Sequence, residues 1–185
     1  MRREPVSLRH AVEATQVPSG FRVVLPEGTW VTVHQALGGQ FTAMTERGGL
    51  VRIEGRDADA LGPEYEEEAR RAAEAQQALA QGPFETLKVW EALKTVYDPE
   101  IPASIVELGL VYLVAAEPVE GGHKVVVRMT LTAPGCGIGP VLLDDVRRKV
   151  LGVPGVKEAD VDLVFDPPWD PSMMTEAARL QLGFM

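Results

Sequence analysis

Glycine and proline interrupt the chain so often between Val6 and Glu54 that no long helix fits there. Pro18-Ser19-Gly20, Pro26-Glu27-Gly28, Gly38-Gly39 and Gly48-Gly49 supply the fixed or positive φ angles of tight reversals. The runs they bound are Val6 to Val17, Phe21 to Leu25, Thr29 to Gln35, Gln40 to Thr45 and Leu50 to Glu54. This pattern predicts a small antiparallel β-module over residues 1–62. A module of that size buries only a thin core.

Beyond Gly62-Pro63 the composition changes. Glu64 to Gln81 is rich in Ala, Glu, Gln and Arg with few large apolar residues, which reads as an exposed helical linker over 63–82. The acidic run Glu64 to Glu68 suits the positive end of a helix dipole. Gly82-Pro83 restarts the chain, and Leu87, Trp90, Leu93 and Val96 then recur at helical spacing up to Asp98-Pro99. Pro99 and Pro102 forbid helix across the next turn. Leu110 to Ala116 and Lys124 to Leu131 read as strands joined at Gly121-Gly122, followed by a glycine-rich loop and a helix from Pro140 to Leu151. Val156 to Phe165 is a further strand, and a helix from about Met173 to Leu182 ends the pattern. Residues 83–185 therefore read as an open α+β layer of order α-β-β-α-β-α, whose helical crossover makes the last two strands parallel.

Composition narrows the function. Hydrophobic residues at 45% and charged residues at 24% are those of a globular chain, and no apolar run approaches the ~18 residues of a membrane span. The first ten residues carry positive charge but no apolar stretch, so neither a secretory signal nor an anchor is expected, and the expected location is cytoplasmic. A net charge of -9 repels a phosphate backbone and argues against nucleic acid as a partner. The single cysteine, Cys136, makes no internal disulfide and no four-ligand metal cage by itself.

Cys136 is nonetheless the sharpest position. It sits in Thr132-Ala133-Pro134-Gly135-Cys136-Gly137-Ile138-Gly139-Pro140, between a strand and a helix N-terminus, where the helix dipole favours a thiolate. The bland alternative is a buried cysteine without chemistry. The loop's glycines suit phosphate only weakly, because Pro140 stands where a dinucleotide fingerprint needs its third glycine and no Gly-Lys-Ser/Thr is present. A thiol hydrolase needs an adjacent imidazole. His123 starts the same strand, roughly 25 Å away at ~3.3 Å per residue, and His10 and His34 belong to the β-module. Asp98, Glu100 and Glu107 are candidate bases or hard-metal ligands, although acids beside prolines more often cap solvated turns. Trp169, behind two prolines, is expected to fill an apolar gap or to serve an interface.

Several of these segments, taken together and in order, resemble a known family. Asp98-Pro99-Glu100-Ile101-Pro102, Ile105-Val106-Glu107-Leu108-Gly109-Leu110-Val111-Tyr112, Thr130-Leu131-Thr132-Ala133-Pro134-Gly135-Cys136 and Pro167-Pro168-Trp169 are similar to blocks of the SufT-like iron-sulfur maturation family. Glu107 stands where bacterial relatives often have Asp. The first half also resembles that family at Ala14-Thr15-Gln16-Val17-Pro18-Ser19-Gly20, Gly28-Thr29, Gln35-Ala36-Leu37-Gly38-Gly39 and Asp57-Ala58-Asp59-Ala60-Leu61-Gly62. The same domain occurs in Mrp-type ATPases, which carry a further P-loop domain, and in the oxygenase accessory protein PaaD, which carries a cysteine-rich tail. Neither addition is found in this sequence.

The resemblance implies a non-enzymatic accessory factor that assembles iron-sulfur clusters or delivers them to client apoproteins. Cys136 would be the cluster-binding residue, and Asp98, Glu100, Glu107, Thr132 and Trp169 the other functional candidates. One thiol per chain implies a transient cluster shared between chains, hence a homo-oligomer or a complex with the assembly machinery. The rival expectations are a thiol-dependent enzyme using Cys136 and a scaffold subunit of an oxygenase-type complex.

Overall fold

The computed structural model describes residues 4–184. The outermost residues of the assigned N-terminal module and C-terminal domain, 1–3 and Met185, lie outside the described residues. The chain falls into two compact units, Met1–Ala75 with Pro99–Pro102, and Gln76–Asp98 with Ala103–Met185.

The first unit contains strands β1 (Val6–Ser7), β2 (Val12–Val17), β3 (Arg22–Leu25), β4 (Trp30–Leu37), β5 (Gln40–Thr45) and β6 (Leu50–Glu54). They form one antiparallel six-stranded sheet in the order β1-β4-β5-β6-β2-β3. The β-rich run from Val6 to Val17 is thus two strands at different places in the sheet. Leu8, in the bend between them, exchanges backbone hydrogen bonds with Gly28 and Thr29, which redirects the chain without a glycine or proline of its own. The remaining turns lie where the sequence places them.

Alternation along the strands sends Val12, Ala14, Val31, Val33, Phe41, Ala43, Val51 and Ile53 into one core. A 3₁₀ turn over Gly55–Ala60 closes that core with Ala58 and Ala60. Gly55 is obligatory, because a Cβ there would lie 2.4 Å from the Gly39 carbonyl oxygen. Helix α1 (Pro63–Leu79) follows. The helix has no fully buried residue, yet it is not a bare linker: Tyr65 and Ala69 pack against the β-core, and Tyr65 meets Phe41 edge-on at 5.6 Å. That i, i+4 pair faces the sheet although the helix is polar over most of its surface.

The second unit continues with α2 (Thr86–Leu93), β7 (Val111–Val119), β8 (Gly122–Met129), α3 (Gly139–Leu151), β9 (Val156–Leu163) and α4 (Glu176–Leu182). β7 and β8 form an antiparallel hairpin, and β8 pairs parallel with β9 across the α3 crossover, as the sequence order requires. Val125, Val127 and Met129 of β8 are completely buried, as are Val89 and Leu93 of α2 and Leu142, Val146 and Val150 of α3. On the opposite sheet face, Lys124 and Arg128 pair with Asp160 and Asp162 across the parallel strands.

The expected terminal helix is shorter than read. Asp170 caps a separate 3₁₀ turn at Pro171–Met173 by accepting from the Ser172 N–H, and Thr175 starts α4 by accepting from the Ala178 N–H.

Candidate functional site

The Cys136 loop is fastened at both ends by burial. Leu131 follows β8 and is 6% exposed, and Ile138 precedes α3 and is 3% exposed. Between them Ala133, Pro134, Gly135 and Gly137 face solvent, while Thr132 and Cys136 are half-buried. The Gly139 N–H donates to the Cys136 carbonyl at 3.1 Å, so the cysteine backbone belongs to the turn that opens α3. A side chain at Gly139 would press on Leu131, with its Cβ 3.0 Å from Leu131 Cδ1. The glycine therefore lets the start of the helix lie against the end of the strand. The N-cap residue of this helix is the apolar Ile138, whose side chain makes no capping hydrogen bond.

The acidic candidates lie elsewhere, in two successive turns between Asp98 and Gly109. The Asp98 N–H donates to the Ala103 carbonyl at 3.2 Å and the Ile105 N–H to the Val96 carbonyl at 2.9 Å, closing the base of the proline turn. Asp98 is 7% exposed, which corrects its expected place on a solvated turn, whereas Glu100 is exposed. Glu107 accepts from the Ser104 N–H at 2.8 Å, and Ser104 Oγ accepts from the Glu107 N–H at 3.2 Å. This reciprocal pairing is the capping-box chemistry of a helix start, used here to fix a non-helical turn. Burial first, and the Glu107 charge second, push the Tyr97 phenol above its usual range.

The segment after β9 crosses this turn. Trp169 donates its indole N–H to the Leu108 carbonyl at 2.7 Å, Tyr112 donates its hydroxyl to the Pro167 carbonyl at 2.9 Å, and the Thr175 N–H donates to the Glu107 carbonyl at 2.9 Å. Trp169, which is half-buried, supplies a directed hydrogen bond to the Glu107–Gly109 turn. That donor role was not readable from Pro167-Pro168-Trp169 alone, because its acceptor lies far back in the sequence.

His123 stacks on Phe84 with ring centroids 4.0 Å apart, at the opposite end of β8 from the Cys136 loop. A Cys-His couple is therefore not assembled from these two residues. Among the described residues, no group of three or more His, Cys, Asp and Glu side chains is placed to hold a metal ion. Among the same residues no helix is long and apolar enough to cross a membrane.

The profile of a family described as iron-sulfur cluster assembly protein matches residues 87–162. A Porphyromonas gingivalis protein named Fe-S protein maturation auxiliary factor is 50% identical over 93 residues, covering 50% of this chain and 86% of that protein. The Staphylococcus aureus Fe-S protein maturation auxiliary factor SufT is 41% identical over 88 residues, covering 48% of this chain and 97% of that one. The Bacillus subtilis factor YitW is 39% identical over 92 residues, covering 50% and 87% respectively. A solved structure of a domain of unknown function from Bacillus anthracis is 35% identical, covers 61% of this chain and 99% of that chain, and superposes with a TM-score of 0.49.

Proposed function

The chain belongs to the iron-sulfur cluster assembly protein family, and on that premise we propose that it is an accessory factor in the maturation of iron-sulfur proteins, handing clusters to client apoproteins through Cys136. The observation that carries this reading is the similarity, at 39% to 50% identity over most of each relative's length, to proteins named Fe-S protein maturation auxiliary factors. The geometry around Cys136 is compatible with it. The thiol stands in a half-open loop whose ends are anchored by Leu131 and Ile138, so it can be offered to another molecule without unfolding its surroundings.

The cluster is cargo in this account, and one thiol cannot hold it alone. Iron-sulfur clusters take four ligands, mostly thiolates, and this chain has a single cysteine. The other ligands come from a second copy, a client or a small thiol. Carboxylates substitute poorly for thiolate. Glu107 is moreover engaged with the Ser104 N–H, which leaves it a part in fixing its turn. A ligand set spread over two molecules is labile, which suits transfer better than storage.

The test is transfer of a cluster to an apo-ferredoxin under anaerobic conditions, after loading the protein with iron and sulfide and desalting. Faster activation of the ferredoxin than by equal amounts of free iron and sulfide, lost in Cys136→Ser, is the expected result. Equal rates for wild type, Cys136→Ser and the free ions would overturn the proposal.

A further inference from the structure

A second surface lies on the β-sheet unit, outside the residues 87–162 that carry the family match. Pro5, Trp30, Thr32, Met44, Thr45 and Glu46 line a groove of about 410 Å³. Sheet register builds it: Thr32 of β4 stands opposite Met44 of β5, and Trp30 pairs with Ser7 of β1. The Glu46 N–H donates to the Trp30 carbonyl at 3.1 Å, which fixes the carboxylate-bearing residue beside the indole-bearing one. Trp30 is 51% exposed although it is the largest side chain on its strand, and Glu46 is exposed as well. Glu46 takes part in none of the ion pairs found among the described residues, and its nearest basic neighbour in sequence, Arg47, is likewise absent from them.

We propose that this groove docks an arginine side chain presented by a partner protein. Beside two threonines, the lining includes an indole, a thioether and a proline ring, which match the aliphatic stem of arginine, and an indole attracts a guanidinium. The carboxylate of Glu46 at the rim supplies the complementary charge for the planar head group. A purely apolar ligand would gain nothing from the solvated Glu46 carboxylate, and an anion would be repelled by it. The chain's net charge of -9 further favours a basic partner over an acidic one. This inference stands apart from the proposal for Cys136.

The experiment follows the indole N–H signals of the full chain by ¹⁵N NMR, with the Trp30 signal assigned through Trp30→Phe. Nα-acetyl-arginine amide is the probe, and Nα-acetyl-norleucine amide, with an apolar stem and no charge, is the control. The arginine probe should shift the Trp30 signal in the millimolar range, leave Trp90 and Trp169 unmoved, and bind about three- to fivefold more weakly to Glu46→Gln. The norleucine probe should leave Trp30 unmoved. No shift of Trp30 with the arginine probe, an equal response to both probes, or unchanged affinity in a folded Glu46→Gln would overturn the proposal. A folded spectrum of Glu46→Gln, otherwise superimposable on wild type, keeps that comparison valid.

Discussion

Trp169 and Leu108 are joined by a 2.7 Å hydrogen bond from indole Nε1–H to backbone carbonyl, although 61 residues separate them in sequence. The bond ties the segment after the last strand to the turn that carries Glu107. Replacing Trp169 by Phe keeps an aromatic ring but removes the donor, leaving a carbonyl of the fully buried Leu108 without it. The expected loss is about 1–3 kcal/mol of stability. Chemical denaturation of Trp169→Phe measures it; an unchanged midpoint would show that water replaces the indole at no cost.

Gly109 lies beneath the same segment with φ +70°, and a Cβ there would come within 2.1 Å of the Met173 carbonyl oxygen. Left-handed backbone alone costs a non-glycine residue ~1 kcal/mol, and the clash with backbone adds to it. Gly109→Ala is therefore expected to destabilise by more than about 2 kcal/mol. Hydrogen exchange should show the Thr175 amide losing protection, since its acceptor is the Glu107 carbonyl.

His10 bridges two parts of the β-sheet unit, with Nδ1 at 3.0 Å from the Ala11 carbonyl and Nε2 at 3.0 Å from Asp59. The Ala11 carbonyl, and then the Asp59 carboxylate, raise its pKa above the ordinary 6.5. A raised histidine pKa means that the folded state holds the proton more tightly than the unfolded state. The contribution is complete below pH 6.5 and disappears as pH rises through the folded pKa. The imidazole titration followed by NMR should move down in Asp59→Asn; an identical titration would remove Asp59 as a cause.

Much of this architecture is legible in the sequence because it is written in local chemistry. Glycine and proline mark the turns of the β-sheet unit, and the alternation of Val125, Val127 and Met129 marks a buried strand face. The parallel pairing of β8 with β9 follows from the helix between them. What escaped reading depends on distant partners. The break between β1 and β2 is made by Leu8 bonding to Gly28 and Thr29, and the docking of α1 by Tyr65 reaching Phe41. The break before α4 had a local signal, Thr175 three residues before Ala178, that helical periodicity alone passes over. At the candidate site, Cys136 stands out as the lone cysteine in a glycine-rich loop. The pairing of Glu107 with Ser104 and the donor role of Trp169 emerge only when the turn is folded.

The proposed function stands or falls on cluster loading. Iron and sulfide content, measured with the particle mass by light scattering after anaerobic reconstitution, compares wild type with Cys136→Ser. With ligands shared between molecules, wild type should bind a labile cluster only in particles containing more than one chain or an added thiol, and Cys136→Ser should lose it. A full cluster held by a single isolated chain, or the same iron occupancy in Cys136→Ser, would contradict it.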